Sequence, residues 1–339
     1  MKTKIQYLNK ILFSSGKFIR IFYLNPLMIF TQHHFFRDYS IGKFIPPNMF
    51  REKECYLFSA DNWYWKDTKY RIGQHQLILD GYQKFILEYP NVKVIFMHPD
   101  EGCVEGYPNI PYVIFNRNAM LDPNDYFIQP NQSKVYDAIY NANFYRYKRH
   151  ELISKLSNVG LIYYLRNEQN RIHYINDEEM IYGQQLRSQF QNNPNVTLLN
   201  DIYGSYKFLS KREICEFYNQ SYCGLCLSDV EGACLVSMEY LLSGLPVVST
   251  KNIGGRDVFL KDAEYAIIDL NDDSNDIHNA VDYFKKKKFN SEQIVEETLY
   301  KIDLEWIKMF FFISNNIFND IDYHVLKHNL INIWKDYCI

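Results

Sequence analysis

From residue 134 to residue 289 the chain alternates short apolar runs with amphipathic segments, and this alternation constrains the fold more than any other feature of the sequence. KVYDAIYNANF (134–144), GLIYYL (160–165), NVTLLN (195–200), YCGLCLS (222–228), PVVST (246–250) and EYAIIDL (264–270) read as strands. KRHELISKL (148–156), EEMIYGQQLRSQFQNN (178–193), KREICEFYNQS (211–221) and DIHNAVDYFKKKKF (276–289) read as helices, and a further helix is expected from Gly232 to about Ser243. Ser210 is placed to cap the third of these, and Gly244 to stop the last. Short apolar strands separated by helices make a parallel sheet covered on both faces. Ligands of such sheets bind beyond the carboxyl ends of the strands.

The first half repeats the α/β pattern with longer loops. ECYLFSA (54–60), VKVIFMHP (92–99) and NIPYVIFN (109–116) read as strands, and QHQLILDGYQKFILEY (74–89) as an amphipathic helix. LDPNDYFIQPNQS (121–133), with two prolines and several polar residues, reads as the link between domains. A chain of 339 residues suits two domains. The expected division is 1–133, 134–300 and a C-terminal segment 301–339.

Charge and cysteine content narrow the function classes. The formal net charge of -3 gives no support to nucleic-acid binding. The basic part is the start of the chain, where Lys2, Lys4, Lys10, Lys17 and Arg20 have no acidic neighbour. KFIRIFYLNPLMIF (17–30) is too short to span a bilayer and reads either as a first core strand with its flanks or as a basic-aromatic patch resting on an anionic membrane surface. WIKMFFFISNNIF (306–318) raises the same alternative. Seven cysteines, an odd number in mostly apolar surroundings, point to a reducing, cytoplasmic setting. Cys223 and Cys226 form a CxxC on a buried strand, where a spacing of three sends the sulfurs to opposite faces.

EGACLVSMEYLLSGLPVVSTKNIGG (231–255) carries two carboxylates in a run of small and apolar residues. On one helix, Glu231 and Glu239 would look along one groove, about 12 Å apart in rise. The free N–H groups between them would suit a phosphate. Carboxylates accept two hydrogen bonds from a diol. A nucleotide sugar, with hydroxyls at both ends and a diphosphate in the middle, matches that array. The bland alternative is a helix cap and a solvent-facing residue, which explains either glutamate alone but not Gly232, the PVVST strand and Gly254-Gly255 together.

With E-x7-E, Ser-Gly-Leu-Pro-Val-Val-Ser-Thr and Gly-Gly in fixed order, the sequence resembles the retaining glycosyltransferases of family 4 (GT4). The likeness extends more loosely from about residue 134 to 285, and YDAIYNAN followed by KRHEL resembles a subgroup of bacterial surface-polysaccharide enzymes. The resemblance implies a GT-B fold: two Rossmann-like domains facing across a cleft, with C-terminal helices crossing back to the N-terminal domain. It implies a hexosyltransferase-type enzyme that moves a sugar from a UDP- or GDP-sugar to a glycan or lipid-linked acceptor, with no metal and no other cofactor. Glu231 would touch the donor sugar, the amides of Gly232, Ala233 and Cys234 its hydroxyls, those of Leu235 and Val236 the phosphates, and Glu239 the ribose. Lys148 matches the family's diphosphate-binding Lys. The Arg of that clamp falls on Asn143, with Arg146 or Arg149 as substitutes. In the N-terminal domain His98 is the candidate to approach the donor sugar, with His33 and His34 as rivals, and Asp100 and Glu101 follow in a loop. Asp272-Asp273 reads as a turn with a helix cap. Three other readings compete: a GT-B nucleotide-sugar epimerase, a catalytically silent GT-B subunit, and a dinucleotide oxidoreductase, which the lack of a GxGxxG after a strand disfavours.

Overall fold

A computed structural model of the chain describes residues 19–32, 34–43, 46, 48–60, 74–104, 109–164 and 177–337. The chain divides into two compact units, one formed by residues 1–122 with 302–339 and the other by 123–301. The division falls at Asp122/Pro123, at the start of the proline-containing link, and not after residue 133. The rest of the link belongs to the second unit because Asn219 holds it: its side chain accepts from the Gln129 N–H at 2.7 Å and donates to the Phe127 carbonyl at 3.0 Å.

The first unit contains β1 (Arg20–Leu24), β2 (Leu27–Gln32), α1 (His34–Ser40), α2 (Met49–Glu52), β3 (Cys55–Ala60), α3 (Gln74–Glu88), β4 (Val92–His98) and β5 (Tyr112–Ile114). The described strands lie in sequence order, β1 antiparallel to β2 and the rest parallel. Their core is unusually aromatic: Phe35, Phe36, Phe50, Phe85 and Phe96 are all buried together. Edge-to-face ring pairs such as Phe35–Phe85, at 5.2 Å between centroids, suit the ring quadrupoles. This packing accounts for KFIRIFYLNPLMIF. Ile21, Phe22, Met28, Ile29 and Phe30 are core residues of a strand pair, and even Arg20 is buried. So the core-strand reading holds for residues 19–30, while Lys2, Lys4, Lys10 and Lys17 lie outside the described residues.

The second unit contains β6 (Ala138–Asn141), β7 (Val159–Ile162), α4 (Asp177–Gln191), β8 (Val196–Leu198), α5 (Lys211–Asn219), β9 (Gly224–Cys226), α6 (Leu235–Leu242), β10 (Val247–Thr250), β11 (Ala266–Leu270) and α7 (Ser274–Lys286). Its strands form a parallel sheet in the order β11-β10-β9-β6-β7-β8. The order runs one way from β6 to β8 and the other way from β9 to β11. The β6/β9 junction is therefore the topological switch point, where open α/β sheets leave a crevice. Residues 148–156 are not the α-helix their sequence suggests, and the 310 turns there begin at Arg146. The two turns, Arg146–Lys148 and His150–Lys155, are separated by Arg149 in the left-handed region (φ 53°).

The last two helices are α8 (Ser291–Asn316) and α9 (Tyr323–Tyr337). The first unit claims α9 and the end of α8 through specific bonds. The Trp306 indole donates to the Ala119 carbonyl at 3.0 Å, Glu305 accepts from the Asn116 N–H at 2.8 Å, and Asn329 donates to the Phe22 carbonyl at 2.9 Å. Trp306, Met309 and Ile313 are buried, so one stripe of the WIKMFFFISNNIF run is core, while Ile307 and Phe311 on the same helix are exposed. No described helix is long and apolar enough to cross a membrane.

Candidate active site

The loop between β9 and α6 carries Glu231, and its conformation is imposed by the loop after β10. The Glu231 N–H donates to the Ile253 carbonyl at 3.1 Å, and the Ile253 N–H to the Asp229 carbonyl at 2.9 Å. This short β-like pairing keeps residues 229–231 extended. Gly254 makes the approach feasible. Its φ is 129°, and a Cβ there would lie 2.5 Å from the Glu231 carbonyl oxygen. One consequence corrects the sequence reading: Gly232, Ala233 and Cys234 do not open a helix. The α-helix begins at Leu235, with Cys234 as an N-cap that makes no side-chain cap bond. Glu231 and Glu239 thus do not share a helix face; Glu231 stands in an extended loop ahead of α6 and Glu239 inside it.

Lys148 arrives from the other side of the switch point, at the end of the 310 turn that follows β6. Its ammonium bonds both oxygens of Glu231, at 2.6 and 2.8 Å, with the two side chains 11% and 13% exposed. Ser228 adds a third bond to the carboxylate, at 2.6 Å. Burial pushes the Glu231 carboxyl up, but Lys148, Ser228 and Arg256 outweigh it, and the group lies below the usual carboxylate range. Burial likewise opposes the Lys148 charge, and Glu231 overcomes it, so the ammonium is held well above its usual range.

Glu239 has a different environment. Tyr218 donates to it at 2.8 Å and Tyr126 at 3.4 Å. Among the described residues no cation bonds it directly, and burial raises its carboxyl above the ordinary value despite the two phenols. Tyr126 lies between Asp125 and Phe127, which together with Lys211 and Arg212 line a cavity of about 480 Å³. Ser237, in the first turn of α6, bonds back to the Cys234 carbonyl.

The expected arginines do not join this group. Arg146 is 55% exposed, pairs with Glu179 at 3.4 Å and lies over the Tyr182 ring. Arg149 is buried and held by the Leu227 carbonyl, Thr250 and Asp272, which makes it part of the scaffold. Asn143 is partly buried, with a side-chain oxygen that has no hydrogen-bond partner among the described residues. Asp273 caps α7 as expected, accepting from the Asn275 N–H. His98 ends β4 in the first unit at 1% exposure, its ring against Phe96 and edge-on to Tyr112. Burial lowers its pKa to about 4, so it is neutral at physiological pH. His33 lies outside the described residues, as does the side chain of His34.

Sequence reasoning missed Ser228, Arg256, Tyr218 and Tyr126. Ser228 and Arg256 had a readable signal, a hydroxyl three residues before Glu231 and a charged pair, Arg256-Asp257, inside the apolar run after Gly255. The tyrosines had none, because Tyr126 and Tyr218 reach Glu239 only through the fold. Cys223 and Cys226 are buried free thiols, and burial raises the Cys223 thiol, as befits inert core residues.

The fold is that of the GT-B glycosyltransferases. Residues 162–300 match the family model described as glycosyl transferases group 1. The chain is similar to HepE of Anabaena solved in complex with UDP, at a TM-score of 0.54 and 12% identity over 91% of this chain and 78% of that one. The same protein in complex with UDP and glucose gives 0.53, with 11% identity over 83% and 72%. Sucrose-phosphate synthase from Thermosynechococcus elongatus gives 0.53, with 12% identity over 92% and 73%. No curated protein matches the chain in sequence.

Proposed function

We infer that this protein is a retaining, metal-independent glycosyltransferase that takes a UDP- or GDP-sugar as donor and a glycan or lipid-linked saccharide as acceptor. The observation that carries this reading is the meeting of Lys148 and Glu231 at the β6/β9 switch point, beside the uncapped N-terminus of α6; Glu231 and α6 lie within the stretch that matches group 1 glycosyl transferases, and Lys148 precedes it. UDP bound to a similar fold in HepE supports the donor class. The resemblance to family 4 and to surface-polysaccharide enzymes supports retention and a place in polysaccharide assembly. Six buried free thiols among the described residues support a reducing, cytoplasmic setting.

In this reading Lys148 and the amides of Leu235 and Val236 hold the diphosphate, where a helix N-terminus favours an anion. Glu231 and the amides of Gly232 to Cys234 hold sugar hydroxyls. Glu239 takes the ribose diol, and the cavity beside Tyr126 takes the base. Lys148 then leaves Glu231 for the phosphates when donor binds. In the reaction the bond from the anomeric carbon to the phosphate oxygen breaks, and the electron pair stays on the diphosphate. The acceptor hydroxyl attacks from the same face and its proton passes to the leaving oxygen. Catalysis is positioning and electrostatics, with Glu231 as a holder of hydroxyls and not a nucleophile.

The test is a thermal-shift panel of UDP, GDP, ADP, CMP and NAD, with and without EDTA. One nucleoside diphosphate should stabilise the wild type in the presence of EDTA. Glu239→Ala should abolish that shift, whereas Glu231→Ala should retain it and lose sugar transfer. No shift with any nucleotide would replace the enzyme by a silent subunit of the same fold. Turnover of the donor without an acceptor, to an isomeric sugar, would replace it by an epimerase.

A further inference from the structure

Arg256 is fully buried, and each of its nitrogens is bonded. Nε donates to Asp257 at 2.8 Å; Nη2 donates to Ser249 Oγ and the Thr250 carbonyl, both at 2.5 Å, and to Asp257 at 2.9 Å. Nη1 reaches the Ser228 carbonyl and, at 3.1 Å, the Ser228 hydroxyl. Ser228 follows β9 and Thr250 ends β10, so one guanidinium ties together the carboxyl ends of two neighbouring strands.

The contact with the Ser228 hydroxyl has a chemical consequence. A serine hydroxyl carries one proton and two lone pairs, and a guanidinium can only donate. With Arg256 donating to one lone pair, the Ser228 proton is directed to its other partner, Glu231 Oε2, at 2.6 Å. Such a bond is charge-assisted only while Glu231 is ionised. Glu231 Oε1 is bonded by Lys148 alone among the described residues. Oε2 is thus tied to the scaffold through Ser228 as well as bonded by Lys148, whereas Oε1 has only the ammonium that donor binding would draw away.

We propose that Ser228 and Arg256 are positioning residues for the donor sugar, a one-way relay that fixes Glu231 as an oriented, ionised acceptor. The proposal rests on the functional reading above. The charged and titratable groups around Glu231 are Lys148, Arg256 with its partner Asp257, the Cys234 thiol, and the phenols of Tyr140 and Tyr147. A merely structural clamp would cost stability when weakened and would leave the ionisation of Glu231 unchanged.

Ser228→Ala removes the relay's proton and leaves the Arg256 bonds to Ser249, Thr250, Asp257 and the residue 228 carbonyl, so it is the variant to make. Its turnover of the nucleotide sugar should fall about tenfold, the scale of one charge-assisted hydrogen bond. Its affinity for the nucleoside diphosphate should stay within about twofold. The acid limb of its pH–rate profile should move to higher pH, because Glu231 loses a donor that favours its charged form, and Ser228→Thr should return the limb. An unmoved limb, or a diphosphate affinity that falls as far as turnover does, overturns the relay. Carboxyl ¹³C NMR, with the Glu231 signal assigned by its loss in Glu231→Gln, reads the relay without any activity. The carboxyl should titrate at higher pH in Ser228→Ala than in wild type, and identical titration again overturns the relay. If the wild type binds no nucleotide, the functional reading fails, while this titration still decides the relay.

Discussion

Single residues decide how the site is held open. Gly254 admits the Glu231 backbone, and a side chain there meets both a left-handed φ and a carbonyl oxygen at 2.5 Å. Gly254→Ala should therefore destabilise the protein by about 2 kcal/mol or more, measured by urea unfolding, and a loss below about 0.5 kcal/mol would contradict the close approach. The two glutamates differ in kind although their spacing makes them look like a pair. Glu231 is paired with a cation and a directed hydroxyl, whereas Glu239 is held by phenols. The sequence named both and named Lys148, because each matches a motif position. It could not tell which arginine would join them. Arg146, Arg149 and Arg256 look alike in sequence, and only packing shows that the first faces solvent and the other two brace the scaffold.

At the scale of elements, local signals and tertiary demands agree where a cap is complete. Ser210 forms a full capping box with Glu213 at the start of α5. Ser210→Ala should cost about 1 kcal/mol in chemical denaturation, and a neutral result would mean that Lys207, which also pairs with Glu213, holds the helix start by itself. Gly244, in the left-handed region at φ 69°, ends α6 where the sequence puts it. The start of α6 and the 148–156 segment follow tertiary demands instead. Residues 229–231 pair with Ile253 and stay extended, which delays the helix to Leu235. The Arg149 guanidinium is drawn toward Leu227, Thr250 and Asp272, and the left-handed Arg149 backbone splits a helical sequence into two 310 turns.

At the scale of the whole molecule, each compact unit buries a neutral histidine. Burial lowers the pKa of His98 to about 4 and that of His150, packed among Tyr140, Phe144 and Phe190, to about 3. The unfolded chain protonates both near pH 6.5, before the folded chain does. Their contribution is therefore complete above pH 6.5 and is lost as the pH falls toward the folded values. Denaturant midpoints should drop between pH 7.5 and pH 5, and His98→Leu or His150→Phe should each flatten that drop. An unchanged midpoint over this range would show that the rings protonate without cost.

By itself the sequence determined the alternation of strands and helices, the parallel sheet of residues 134–289, the caps at Ser210, Asp273 and Gly244, and the identity of Lys148, Glu231 and Glu239 as the residues to watch. These follow from periodicity, cap chemistry and motif spacing, which are local, and for Lys148 from the resemblance to family 4. The tertiary structure alone decided that the units part at Asp122/Pro123, that Glu231 lies outside its helix, and that Arg256, Ser228, Tyr126 and Tyr218 hold the two carboxylates. The reason is physical. A buried carboxylate must find its donors wherever the fold brings them, and here they come from positions that are mostly remote in the chain: Lys148 is 83 residues from Glu231, and Tyr126 is 113 from Glu239.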